Sequence, residues 1–135
     1  MAISEFKNVK ICGVKTVIPE NYIDIDDELE YFANNPKKLA RAKKMVGYGR
    51  RYIANENTTV VDMAVDAAEK LMSEMNIDRN DIDLLIFVNQ KPDYPEPCDA
   101  CVAHGILNLK KECTSLDINL GCSGYVHALM TAHAF

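Results

Sequence analysis

Apolar and polar positions along this chain follow two rhythms, one of period two and one near 3.6. Residues 9–17 alternate loosely between apolar and polar, are rich in β-branched types and stop just before Pro19, which predicts a strand followed by a turn. Gly13 inside that run predicts close approach of another backbone. Residues 24–33 are acidic at the front and apolar at Leu29, Phe32 and Ala33, the charge order that suits a helix N-terminus. Asn34-Asn35-Pro36 breaks this helix, residues 37–45 predict a second short one, and Gly47-Tyr48-Gly49 opens a loop. The clearest helix starts at Thr58-Thr59. Thr59 and Asp62 make an approximate capping box, and Val61, Ala64, Val65, Ala68, Leu71, Met72 and Met75 recur on one face.

Further on, residues 82–88 are almost continuously apolar, as in a strand covered on both faces of a parallel sheet. The proline-rich loop at 91–97 follows it, at the sheet end where α/β folds bind ligands. Residues 98–109 predict a short helix and residues 115–120 another strand; Gly121-Cys122-Ser123-Gly124 is a tight turn into a helix reaching Phe135. Strands alternating with helices predict an α/β fold with a mainly parallel or mixed sheet and helices on both faces. From Ile118 onward the chain has no Asp, Glu, Lys or Arg, and the last helix is apolar on nearly every side. Such a helix needs cover. The cover is either a partner subunit or, as the favoured expectation, the rest of a longer protein, with residues 1–135 cut within or just after this helix.

Composition refines that picture. With 135 residues, 48% hydrophobic content and a net charge of −5, the chain suits one globular domain and gives long-range attraction to nucleic acid little support. Charge is nevertheless segregated: residues 37–51 hold seven bases and no acid, whereas residues 20–30 hold six acids and no base. The basic run is either a solvated face or a landing site for phosphates or an acidic protein. Residues 1–7 lack the basic start and apolar stretch of a signal peptide, and the final apolar run is too short and interrupted to span a membrane. A cytoplasmic location follows as an expectation. Five cysteines without a framework spacing are expected to be reduced.

The candidate chemistry centres on Cys122, placed where a strand hands over to a helix between Gly121 and Gly124. Helix-terminal amides favour a thiolate and could hold the oxyanion of a thioester under attack, which makes Cys122 a candidate nucleophile. The alternative is a small buried thiol used as filler. Ser123 is weaker, because a serine elbow would need glycine where Tyr125 stands.

Residues 119–129, Asn-Leu-Gly-Cys-Ser-Gly-Tyr-Val-His-Ala-Leu, resemble the nucleophile segment of the β-ketoacyl-acyl-carrier-protein synthase III family, condensing enzymes of thiolase fold. Ile11-Cys12-Gly13, the stretch 46–53 with Arg50 and Arg51, residues 81–86 and Pro97-Cys98-Asp99-Ala100-Cys101 follow the family's order. The resemblance implies the first half of that fold, with Cys122 taking an acyl group from acyl-CoA. A carbanion from a decarboxylating malonyl-acyl carrier protein then attacks the thioester. It implies no permanently bound cofactor, a homodimer in the longer protein, and Arg41, Arg50 and Arg51 as contacts for CoA or the carrier protein. The family's decarboxylating His and Asn belong to its second half, so this chain alone is expected to be inactive; His104, His127 and His133 are poor substitutes. The sequence departs in having no Trp, Arg41 in the neighbourhood where members carry one, Val46 for a Thr, and Glu96 before Pro97.

Three other readings remain open at this point. One is Cys-based acyl transfer without condensation, in specialised metabolism. Another is a non-catalytic module that pairs its apolar last helix with a partner. The third is metal or redox chemistry at Cys98, Cys101, His104, Cys113 and Cys122. A structural zinc usually wants two close pairs and only Cys98-x-x-Cys101 is one, while a thioredoxin-like role is disfavoured because that pair follows a proline-rich loop.

Overall fold

The computed structural model of the chain describes residue 3, residues 5–47 and residues 49–135; Tyr48 of the expected loop lies outside them. The described residues divide into two units, Met1–Val17 with Thr59–Phe135, and Ile18–Thr58.

The larger unit contains helices α2 (Val60–Met75), α3 (Asp99–Ile106) and α4 (Gly124–Ala134) and strands β3 (Leu84–Val88) and β4 (Thr114–Ile118). The two strands run parallel, with Leu84 opposite Thr114 and Val88 opposite Ile118. Successive β3 side chains face opposite sides. Leu85 and Phe87 pack with Val61 and Val65 of α2 and Ala100 and Ala103 of α3. On the other side, α4 presses its Gly124 against Val88. The sheet is therefore covered on both faces, as the apolar run predicts. A second core cluster of Met72, Leu107, Leu109 and Cys113 joins the foot of α2 to the connection before β4.

α2 forms where the capping box places it. The Asp62 amide donates to Thr59 Oγ1 at 3.0 Å, and the Thr59 amide donates to the Asp62 carboxylate at 2.9 Å. Asn76, at φ 52°, ends the helix in the left-handed region. Beyond it, Arg79 donates to both Glu69 oxygens at 2.8 and 2.6 Å. This paired guanidinium holds the Glu69 carboxyl below the usual carboxylate range. A pKa lowered by folding contributes stability above the unfolded value and loses it as the pH falls through the folded one. Acid destabilisation below the usual carboxylate range is thus expected to be smaller in Glu69→Gln, checked by denaturant midpoints at neutral pH and at pH about 3; equal acid losses in both proteins would contradict it.

Residues 9–17 form no strand. A strand is defined by a hydrogen-bonded neighbour, and this segment has none among the described residues. Its exposure still alternates, with Cys12, Val14 and Thr16 exposed and Gly13, Lys15 and Val17 half-buried. It lies along α2, where Lys15 pairs with Glu74. Gly13 approaches side chains rather than a backbone: a Cβ there would collide with Met75 Sδ and stand 3.0 Å from Leu71 Cδ1.

In the smaller unit, β1 (Asn21–Asp24) pairs antiparallel with β2 (Arg50–Ile53), two strands the pattern does not predict. Tyr22 lies opposite Tyr52 with ring centroids 6.1 Å apart, and the Arg50 guanidinium sits 4.6 Å from the Tyr22 ring centroid. The expected acidic helix is a 3-10 helix, Ile25–Phe32, kinked at Glu28 and closed by Ala33 at φ 57°. Four acids within it have no base one turn away to support an α-helix; bases from elsewhere neutralise two of them. Helix α1 (Pro36–Val46) is capped by the Asn35 side chain and ends at Gly47, φ 79°. Lys43 then reaches Asp26 at 2.8 Å, Arg50 reaches Asp24 at 3.4 Å, and Arg51 reaches Glu28. The two oppositely charged runs close on each other over a core of Ile25 and Leu39.

Candidate active site

Both strands of the parallel pair end at one edge, and the segments leaving that edge are tied together by three aspartates. Asp117, inside β4, accepts the amides of Asp99 and Ala100 at 3.0 and 2.8 Å and so caps α3. Asp99, fully buried, accepts from Asn89 and from the Asp93 amide. Asp93 in turn accepts the amides of Val60 and Val61 at the start of α2. Each carboxylate holds down the next segment. No sequence pattern announces this series of carboxylates; its only local signal is an Asp between Leu116 and Ile118 in an otherwise apolar strand.

From the same edge, residues 119–123 turn into α4. Gly121 passes beside Gln90, 3.7 Å from where a Cβ would stand, and the Gly124 amide closes the turn on Gly121 O at 2.9 Å. A Cβ on Gly124 would lie 2.7 Å from Val88 Cγ1, on a β-branched side chain with little freedom to move. Gly124→Ala is therefore expected to cost about 1–3 kcal/mol. Gly13→Ala should cost less, because the atom it meets is the flexible end of Met75. Thermal or denaturant unfolding measures both; the reverse ranking would contradict the packing.

Cys122 lies in this turn, exposed, and its sulfur makes no hydrogen bond among the described residues. The helix it precedes differs from the others. α1 is capped by Asn35, α2 by Thr59 and Asp93, and α3 by Asp117, whereas Ser123 offers α4 no side-chain bond. The first amide of the regular ladder is His127, bonded to Ser123 O at 3.1 Å; those of Tyr125 and Val126 have no acceptor among the described residues. This turn therefore pairs an exposed thiol with a helix end whose first amides are unpaired among the described residues.

The other candidates fall elsewhere. Arg50 and Arg51 are engaged in the ion pairs described above, while Arg41 is exposed on α1 without an ion pair among the described residues. Arg51 and Glu28, with Tyr31 and Phe32, line a cavity of about 400 Å³ in the smaller unit. His104 bonds to Lys110 O at 3.0 Å, His133 meets Phe6 with ring planes tilted by 59° and centroids 5.5 Å apart, and His127 is exposed. Burial pushes the Cys113 thiol up. Among the described residues no three His, Cys, Asp or Glu side chains gather as metal ligands. None of the described helices is long and apolar enough to cross a membrane.

The chain matches no protein-family model. It is 43% identical over 132 residues, 97% of its length, to a Campylobacter jejuni protein provisionally named 3-oxoacyl-[acyl-carrier-protein] synthase 3. It is 33% identical over 124 residues, 91% of its length, to a β-ketoacyl-[acyl-carrier-protein] synthase III of Clostridium perfringens. In these two alignments it spans 37% and 36% of the relatives' own length. Its fold superimposes with a TM-score of 0.81 on the crystal structure of a Burkholderia xenovorans 3-oxoacyl-(acyl-carrier protein) synthase, at 35% identity over 90% of this chain and 35% of that one. By sequence and by fold, the chain matches the N-terminal part of enzymes of the β-ketoacyl-acyl-carrier-protein synthase III family and has their thiolase-type α/β fold.

Proposed function

We propose that this chain supplies the nucleophile of a condensing acyltransferase, with Cys122 as the acyl acceptor. The Cys122 thiolate attacks the acyl-CoA carbonyl and CoA leaves as its thiolate, so that an enzyme thioester forms. A malonyl-carrier protein then loses CO₂, and its carbanion attacks the thioester, making a carbon–carbon bond and releasing Cys122. The observation that supports this reading is the start of α4, uncapped among the described residues and next to an exposed thiol, where the other described helices are capped. Its amides supply donors for the oxyanion of each tetrahedral intermediate.

Decarboxylation needs groups that this reading assigns to a second α/β half. The apolar surface of α4, with Tyr125 61% and Phe135 78% exposed, is the face such a half would cover. Charge for CoA phosphates or an acidic carrier protein would come from Arg41 with its α1 neighbours Lys37, Lys38 and Lys44 more than from Arg50 and Arg51, whose charge is already balanced by Asp24 and Glu28. No resident cofactor is invoked; the working form would be a cytoplasmic homodimer.

The test joins the chain to a second half carrying the His and Asn and supplies acyl-CoA, then malonyl-carrier protein. A thioester mapped to Cys122, followed by a condensed product, is the expected result. An acyl group on another residue overturns the assignment, and an acyl-Cys122 that never condenses points to plain acyl transfer. The unjoined chain should give no condensed product.

A further inference from the structure

Cys98 and Cys101 take no part in the proposed acyl transfer, yet the fold brings them together. Their sulfurs are 3.3 Å apart, with Cys98 half-buried and Cys101 exposed. Cys98 is the N-cap of α3, in extended conformation at φ −62° and ψ 153°, and its carbonyl accepts the Cys101 amide at 2.9 Å. One closed helical turn thus sets the spacing of the two thiols. Capping does not occupy them: Cys98 makes no capping bond, and Asp117 takes the amides of Asp99 and Ala100. Sequence context speaks against a thioredoxin-like role, because the pair follows a proline-rich loop and does not open a first βαβ unit. What the chemistry requires, however, is two sulfurs in reach of each other and of solvent.

We propose that Cys98 and Cys101 form a redox-active dithiol, closed to a disulfide within the first turn of α3 by a low-molecular-weight disulfide such as glutathione disulfide. The Cys98 thiolate attacks one sulfur of the oxidant, forming a mixed disulfide and expelling one glutathione thiolate. Cys101 then gives up its proton and attacks the Cys98 sulfur, so that the Cys98–Cys101 bond forms and the second glutathione leaves. The two protein thiols lose two electrons and two protons, and one glutathione disulfide becomes two thiols. The Cys98 sulfur beside it, together with burial, holds the Cys101 thiol above the usual thiol range, which suits Cys101 to the second step. That interaction ends once Cys98 is in the mixed disulfide. From 3.3 Å the sulfurs must close to about 2.05 Å for the bond to form. The pair stands on the chain that ties α3 to β4 through Asp117, so its oxidation would stiffen the turn that Asp117 caps.

The test equilibrates the full chain, carrying Cys122→Ser to remove the other candidate nucleophile, with graded ratios of reduced to oxidised glutathione. Thiol counting and peptide mapping follow, with circular dichroism confirming the fold of every variant. A disulfide mapped to Cys98–Cys101, with no lasting glutathione on either residue and reversal by dithiothreitol, is the expected result. Cys101→Ser should halt at a glutathione adduct on Cys98, and Cys98→Ser should form no intramolecular bond. Persistent separate adducts on both residues would overturn the proposal. So would two thiols that stay reduced at oxidant ratios that modify exposed Cys12. The outcome is independent of whether Cys122 carries an acyl group.

Discussion

Cys122→Ser is expected to lower acyl-enzyme formation by the joined protein about 10³-fold or more while leaving the fold unchanged. The size follows from the chemistry. A serine hydroxyl at neutral pH is almost wholly protonated, and the side chain at this position has no hydrogen-bonded base among the described residues, so the amides of α4 would face an attack that no longer begins. The fold should survive because Cys122 is exposed and its sulfur makes no hydrogen bond. Intact-mass measurement of the acylated protein reads the first effect, and circular dichroism with a denaturant midpoint reads the second. Near-normal acyl transfer in a folded Cys122→Ser protein would remove Cys122 from the mechanism.

Asp117→Ala is expected to be the most destabilising of these substitutions, by about 2–3 kcal/mol. Two amides at the start of α3, on the fully buried residues Asp99 and Ala100, give their hydrogen bonds to this one carboxylate. Truncation would leave both donors without a partner and remove the negative charge that the helix terminus favours. The damage should also spread, because α3 positions Asp99, which holds the loop carrying Asp93 against α2. Asp117→Asn keeps one acceptor oxygen and should recover part of the loss. Denaturant unfolding of the three proteins checks the order; an alanine variant within about 0.5 kcal/mol of the parent would show that water replaces the cap at little cost.

Much of the larger unit was legible because its signals are local. The capping box of Thr59 and Asp62 involves residues three apart, and the structure reproduces it atom for atom. The apolar run of β3 signals cover on both faces, and α2 with α3 on one side and α4 on the other provide it. The Gly-Cys-Ser-Gly turn marked where β4 ends and α4 begins, and Cys122 is there.

What the sequence by itself determined, then, is helix α2, the parallel α/β order and the position of the thiol, all set by spacings within one or two helical turns. Only the tertiary structure decided which distant groups meet. β1 and β2 are short and carry polar residues on both faces, so no period announces them, and their pairing depends on residues 26 to 32 positions apart in sequence. Residues 9–17 have a strand's alternation but lie on α2 without a ladder, because a ladder needs a neighbour as well as a pattern. Asp117 and the 3.3 Å approach of Cys98 to Cys101 belong to the same class. A carboxylate in a strand and two thiols three residues apart have many possible partners. The packing of α3 against the face of the sheet selects the ones they find.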